Sequence, residues 1–167
     1  NLSVSAIKIS ELEGYQRIDA EYYQPGYFRL LQSLDAAKAQ PLKQFAKSVK
    51  RKFTPTLGQL FNYIEISEVD LATGRVNAVE MTGEEAPSRA QFVVKAGDVI
   101  ISAVRPARNA VALITEKQSG FVCSSGFVVL HPNKIAPEFL FASLKARHVS
   151  TLLDRRTTAT MYPAVSE

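Results

Sequence analysis

From Tyr63 to Leu130 the apolar residues no longer recur every three or four positions. They alternate, or fall in short runs broken by Gly, Asp and Pro. This period confines the middle of the chain to short β-strands. Tyr63-Ile64-Glu65-Ile66 alternates as a half-buried strand, Asp70-Leu71-Ala72-Thr73-Gly74 carries turn chemistry, and Arg75–Met81 reads as the returning strand. Phe92-Val93-Val94 leads into a tight turn at Lys95-Ala96-Gly97-Asp98 and then the β-rich run Val99-Ile100-Ile101-Ser102. Further strands are predicted at Ala110–Thr115, Gly120–Val122 and Gly126–Leu130. Their regular spacing predicts a curled antiparallel or mixed sheet.

The flanks follow a helical period. Phe28, Leu31, Leu34 and Ala37 lay one stripe along a helix over Gly26–Ala39, which Pro41 closes. Leu42–Val49 is open between a short helix and a strand. Pro137 suits a first helical turn, and Phe139, Leu140, Ser143 and Leu144 share a face of the helix it opens, with a second helical turn over Ser150–Asp154. Tyr15, Tyr22 and Tyr23 are packing anchors of an N-terminal arm. The expected fold is α+β: a single domain over residues 1–167, with a curled β-rich sheet in the middle and helices near both ends.

At 167 residues the chain is long enough to bury one core, and its 46% hydrophobic and 22% charged composition is that of a globular protein. No apolar stretch is long enough to cross a bilayer, and no basic start followed by an apolar run marks a signal peptide. The lone Cys123 excludes an internal disulfide and suits a reducing, cytoplasmic setting. The formal charge is only +4, but it is segregated. Lys43, Lys47, Lys50, Arg51 and Lys52 crowd one segment, Arg105 and Arg108 flank Pro106, and Arg147, Arg155 and Arg156 cluster late. Such clusters form a face that attracts phosphate or lie scattered over a solvated surface.

Catalytic patterns are missing. His131, His148 and Cys123 are too scattered in sequence for a zinc site. Cys123-Ser124-Ser125-Gly126 has no G-x-S-x-G elbow, neither phosphate-loop pattern occurs, and there is no N-P-P-[YF] loop for base methylation. Asp98 near Glu116-Lys117 reads as a turn residue rather than a nuclease carboxylate. The reading is non-catalytic, with no cofactor and no metal.

Several blocks together carry a family resemblance. They are Arg17–Pro25; Tyr63–Asp70 with Thr73-Gly74; Lys95–Pro106; Cys123–Phe127 followed by Pro137–Leu140; and Ala159–Ser166. In this order they resemble the target recognition domain of type I restriction–modification specificity subunits (HsdS-like). The resemblance implies a reader without an active site, which recognises one half of a bipartite double-stranded DNA target. Methyltransferase (M) and restriction (R) subunits then act on adenine and on the DNA. It also implies that the chain is the first half of a longer subunit, ending where a spacer helix begins.

A duplex reader needs Lys and Arg for phosphates, and Arg, Asn, Ser and Thr for base edges. Three segments qualify. Lys50, Arg51, Lys52 and Thr54 form an exposed basic loop; Arg105, Arg108 and Asn109 surround a turn stiffened by Pro106; Arg155, Arg156, Thr157, Thr158, Thr160 and Tyr162 form a basic, hydroxyl-rich tail. Each has a structural alternative: a solvated turn, a strand-end ion pair, or the approach to the spacer helix. Ser124, Ser125 and Phe127 are assigned to sheet packing. Two rival functions stand beside this one. The first is a protein-docking domain using the Phe139-Leu140 face. The second is an enzyme, either the recognition domain of a fused type II methyltransferase or endonuclease, or a small hydrolase using Cys123.

Overall fold

The computed structural model describes residues 23–155, together with residues 6 and 8. Internal packing divides the chain into two compact units, Asn1–Pro41 and Leu42–Glu167. In the first unit, helix α1 (Pro25–Ala36) starts on proline, whose missing N–H would be unpaired there in any case. It stops short of the expected Ala39. Lys38 turns left-handed (φ 51°), and the N–H groups of Lys38 and Ala39 return to the carbonyls of Asp35 and Leu34 at 2.8 and 2.9 Å. This pairing closes a helix end that glycine more often makes. Tyr23, the one expected anchor within the described residues, is buried and stacks on Phe28.

The second unit holds two four-stranded sheets. The ambiguous Leu42–Val49 stretch resolves into a 3-10 turn (Leu42–Gln44) and strand β1 (Ala46–Ser48). β2 (Leu60–Ile64) and β3 (Val79–Thr82) follow, then β4 (Ala90–Val93), β5 (Val99–Ser102), β6 (Val111–Leu113), β7 (Val122–Ser124) and β8 (Phe127–Pro132). The first sheet has the order β1-β8-β5-β6 and is antiparallel throughout. The second has the order β3-β2-β7-β4 and is mixed, because β2 and β7 run parallel. The expected α+β class and β-rich middle are observed, with the strands divided between two sheets.

Several strand boundaries differ from the sequence reading: β6 is shorter than Ala110–Thr115, β7 begins at Val122 instead of ending there, β8 runs on to Pro132, and at β2 and β3 turn chemistry sets the limits. β2 ends at Ile64, because Ile66–Glu68 forms a 3-10 turn. The returning strand begins at Val79 rather than Arg75. Upstream, Asp70 Oδ1 accepts bonds from the N–H and hydroxyl of Thr73, both at 2.6 Å, and Gly74 turns with φ 73°. A Cβ on Gly74 would lie 2.7 Å from the Phe141 ring and from the Val111 carbonyl, so this turn is seated against helix α2 (Pro137–Lys145) as well as being left-handed.

The strand period of two sorts the apolar residues into layers. On β5, Val99 faces away from the second sheet while Ile100 faces it; Val111 and Ala112 divide likewise on β6. Ile100, Ala112, Phe127 and Val129 of the first sheet meet Ile64 and Cys123 of the second in the central core. Val99, Val111 and Leu130 cover Leu140 and Leu144 of α2, and Phe61, Tyr63 and Val122 pack on the far side against Phe53 and Ala86. Helix α3 (Arg147–Arg155) follows α2 after one residue, a full helix where a single turn was expected. Phe139 leaves the predicted stripe: it is 64% exposed while Leu140 and Leu144 are buried. No helix among the described residues is long and apolar enough to cross a membrane.

Candidate nucleic-acid interface

The basic segment after β1 is an extended crossover between the sheets rather than a loose loop. Val49 N–H donates to the Val129 carbonyl on the first sheet, at 2.9 Å. Two residues on, the Arg51 carbonyl accepts from Val93 N–H (2.7 Å) and Phe53 N–H donates to the Gln91 carbonyl (2.8 Å) on the second. Extended backbone alternates its side chains. Lys50, Lys52 and Thr54 therefore point to solvent, while Arg51 and Phe53 turn inward. Phe53 packs on Phe61 with ring centroids 4.8 Å apart.

Arg51 is committed to Asp98. Its Nη1 and Nη2 donate to Oδ2 and Oδ1 at 2.6 and 3.3 Å, and Lys95 N–H donates to Oδ2 at 2.8 Å. His131 Nδ1 lies 2.9 Å from Oδ1. An ionised carboxylate only accepts, so this geometry calls for a proton on Nδ1. The carboxylate is fully buried and Arg51 is 26% exposed. Asp98 is thus more than the turn residue expected: the turn carries a buried ion pair that ties the crossover to the start of β5.

The Arg105–Asn109 turn lies at the other end of β5, some 15 Å away at the usual rise per strand residue. A 3-10 turn, Pro106–Arg108, is bracketed by two left-handed residues, Arg105 (φ 49°) and Asn109 (φ 59°). Proline disfavours this conformation in the residue before it, so Arg105 carries strain of about 1–3 kcal/mol. The surroundings hold it there. Arg108 N–H donates to the Arg105 carbonyl at 2.9 Å, Pro106 is buried, and Ser102 Oγ donates to the Val104 carbonyl at 2.7 Å. Asn109 serves the structure: its Nδ2 donates to the Lys145 carbonyl at 2.8 Å, fixing the turn to the end of α2. Lys145 Nζ in turn donates to the Leu71 carbonyl at 2.6 Å, and partial burial lowers its pKa against the opposing attraction of Asp70.

Arg105 and Arg108 line a cleft of about 700 Å³ together with Arg89, Glu65, Ser67 and apolar walls that include Ile66 and Val104. The Arg89 carbonyl accepts from Ser125 N–H at 2.7 Å, which fixes its backbone beside the end of β7. The buried Tyr63 phenol has a raised pKa, mainly through burial and against a hydrogen bond with Ser124; Glu65 raises it further and Arg89 lowers it. A second depression is lined by Lys52, Phe53, Thr54, Ser88 and Gln91. The two adjoin at Arg89, whose chain neighbours Ser88 and Ala90 line the second. Sequence reading missed Arg89, which sits alone after Pro87-Ser88; only the β4–β7 pairing brings it near Arg105.

Of the remaining candidates, Arg155 closes α3 in backbone, whereas its side chain and all of Arg156, Thr157, Thr158, Thr160 and Tyr162 lie outside the described residues. Ser124 and Phe127 are buried in the sheets; Ser125 is exposed, which departs from the packing role expected for it. The Phe139-Leu140 face is divided: Phe139 is exposed, whereas Leu140 is buried against the first sheet. Among the described residues no three His, Cys, Asp or Glu side chains gather as a metal site.

Burial pushes the Cys123 thiol up to about 12, away from the nucleophilic thiolate. At pH 8 only about one thiol in ten thousand is then ionised, so native protein should resist iodoacetamide and label only once unfolded. Rapid labelling of the folded chain would show the thiol to be accessible.

Fold and sequence together relate this chain to the specificity subunits of type I restriction enzymes. The type I restriction enzyme HindI specificity subunit of Haemophilus influenzae is 26% identical over 110 residues, 64% of this chain and 24% of that protein. The HsdS subunit from Thermoanaerobacter tengcongensis superposes with a TM-score of 0.67 at 34% identity, over 75% of this chain and 33% of that one. A chain from a structure on complex assembly and conformational transition of the type I R-M system gives 0.69 at 32% identity, over 76% and 34%. No protein-family model matches. The chain spans about a third of the solved relatives' length and about a quarter of the HindI subunit's.

Proposed function

We propose that this chain is a target recognition domain that reads one half of a bipartite double-stranded DNA site for a type I restriction–modification complex. Residues 1–167 act as one reader in the cytoplasm. Catalysis belongs to the M and R subunits that assemble with it. One observation carries this reading: Arg89, remote in sequence from Arg105 and Arg108, shares with them a cleft that adjoins the exposed Lys52 and Thr54, in a fold similar to HsdS. Lys50, Lys52 and Thr54 supply the phosphate contacts and the cleft supplies the discrimination. The tail from Arg155 to Tyr162 remains part of the proposed contact surface.

Duplex affinity measured by fluorescence anisotropy should fall steeply with salt. Lys52→Ala should weaken binding to every sequence and reduce the logarithmic salt slope by about one unit per lost phosphate contact. An unchanged slope would remove Lys52 from the contact surface. A chain that binds no duplex even at low salt would sink the whole reading.

A further inference from the structure

We propose that the cleft reads a G·C base pair, with guanidinium groups on guanine and the Glu65 carboxylate on the cytosine amine. This rests on the duplex-binding reading above. The telling feature is Glu65. It stands exposed in the same cleft as Arg89, Arg105 and Arg108. A groove made only for phosphate would not keep a bare carboxylate beside its cations, since the two anions repel. Among the described residues Glu65 forms no salt bridge, nor do the exposed Arg89 and Arg108, which leaves the carboxylate open to a donor.

In a DNA groove a carboxylate needs a donor. Cytosine N4 is the base-edge group that a Glu typically accepts from, and the O6 and N7 of its paired guanine match the fork of an arginine. A G·C pair presents both requirements at once, whereas phosphate accepts the arginine fork but offers the carboxylate no donor. The apolar walls, Ile66 and Val104 among them, would be covered by a bound base, which sharpens the penalty for a wrong one.

The backbone that carries these groups is also held in place. Glu65 directly follows β2, and its carbonyl accepts from Glu68 N–H at 3.0 Å. Arg105 is fixed in a left-handed conformation before Pro106, a state that persists only where its surroundings impose it. Arg89 is anchored through its carbonyl to Ser125. Readout of hydrogen-bonding edges demands such rigidity; attraction to phosphate does not.

The test selects duplexes from a randomised library with the complete chain and sequences those retained. The wild type should enrich a motif containing a G·C column. Arg89→Ala and Arg108→Ala should flatten that column, the preference over A·T falling roughly 5- to 150-fold for loss of a bidentate contact. Glu65→Gln, nearly isosteric and exposed, should shift the column toward A·T, because an amide pairs with adenine N6 and N7. Thermal melting confirms that each variant is folded. A selective wild type whose motif lacks a G·C column, or keeps it unchanged in all three variants, overturns the inference and leaves duplex reading intact. Equal weakening across all sequences does the same, by making these residues phosphate contacts. Absence of any retained duplex removes both.

Discussion

Arg51→Ala is expected to lower the unfolding free energy by about 3 kcal/mol, toward the lower end of the 3–5 kcal/mol typical of breaking a buried pair. The lower end applies because Arg51 is 26% exposed and partly hydrated already. The cost arises on the other side: Asp98 stays fully buried, with the Lys95 N–H and His131 left to satisfy it. The reverse change should cost less. In Asp98→Ala the freed guanidinium can turn to water, and no charge is stranded. The double variant should therefore be less destabilised than the two single losses added together. Urea denaturation of all four proteins measures the coupling, and for Arg51→Ala the melting temperature should fall by about 10 °C. Below that temperature the variant should keep the wild-type salt slope for DNA, since the guanidinium serves Asp98. Unchanged melting with a slope reduced by one unit would put Arg51 on a phosphate instead.

The second large effect is expected from Leu140→Ala. Leu140 is fully buried, in one cluster with Val99, Val111 and Leu130 of the first sheet. Truncation removes the transfer free energy of the side chain and leaves a cavity, together about 2–5 kcal/mol. The consequence reaches the cleft through α2, whose Lys145 carbonyl accepts from Asn109 and whose Lys145 ammonium binds the Leu71 carbonyl. A loosened helix should release the strained Arg105–Asn109 turn. Base preference at the cleft should then weaken even where the protein is still folded. Hydrogen exchange at the Arg108 and Asn109 amides reads this directly. Faster exchange there in Leu140→Ala is the expected result, and exchange at the wild-type rate would uncouple the helix from the turn.

Much of this architecture was legible along the chain, because strand and helix periods are local properties. The alternation at Tyr63-Ile64, the run Val99–Ser102 and the proline before Phe139 each marked an element that forms. Boundaries were less legible where a turn competed with a strand, as when Asp70 captured Thr73 and delayed β3 until Val79. The helix stripe failed at Phe139, since the side facing the sheet is chosen by Leu140 and Leu144 once α2 docks.

The candidate site divides along the same line. Composition and order alone determined that the cations fall in clusters, that the middle is β-rich, and that recognisable catalytic motifs are missing. Tertiary structure decided which cations face one another. Arg51 and Lys52 are neighbours in the chain, yet extended backbone sends one to the buried Asp98 and the other to solvent. Arg89 and Arg105 are unrelated in sequence, yet β4, β7 and the turn after β5 deliver both to one cleft. Charge can be counted from a sequence, but its pairing depends on distance, and distances between remote residues exist only after the strands have paired.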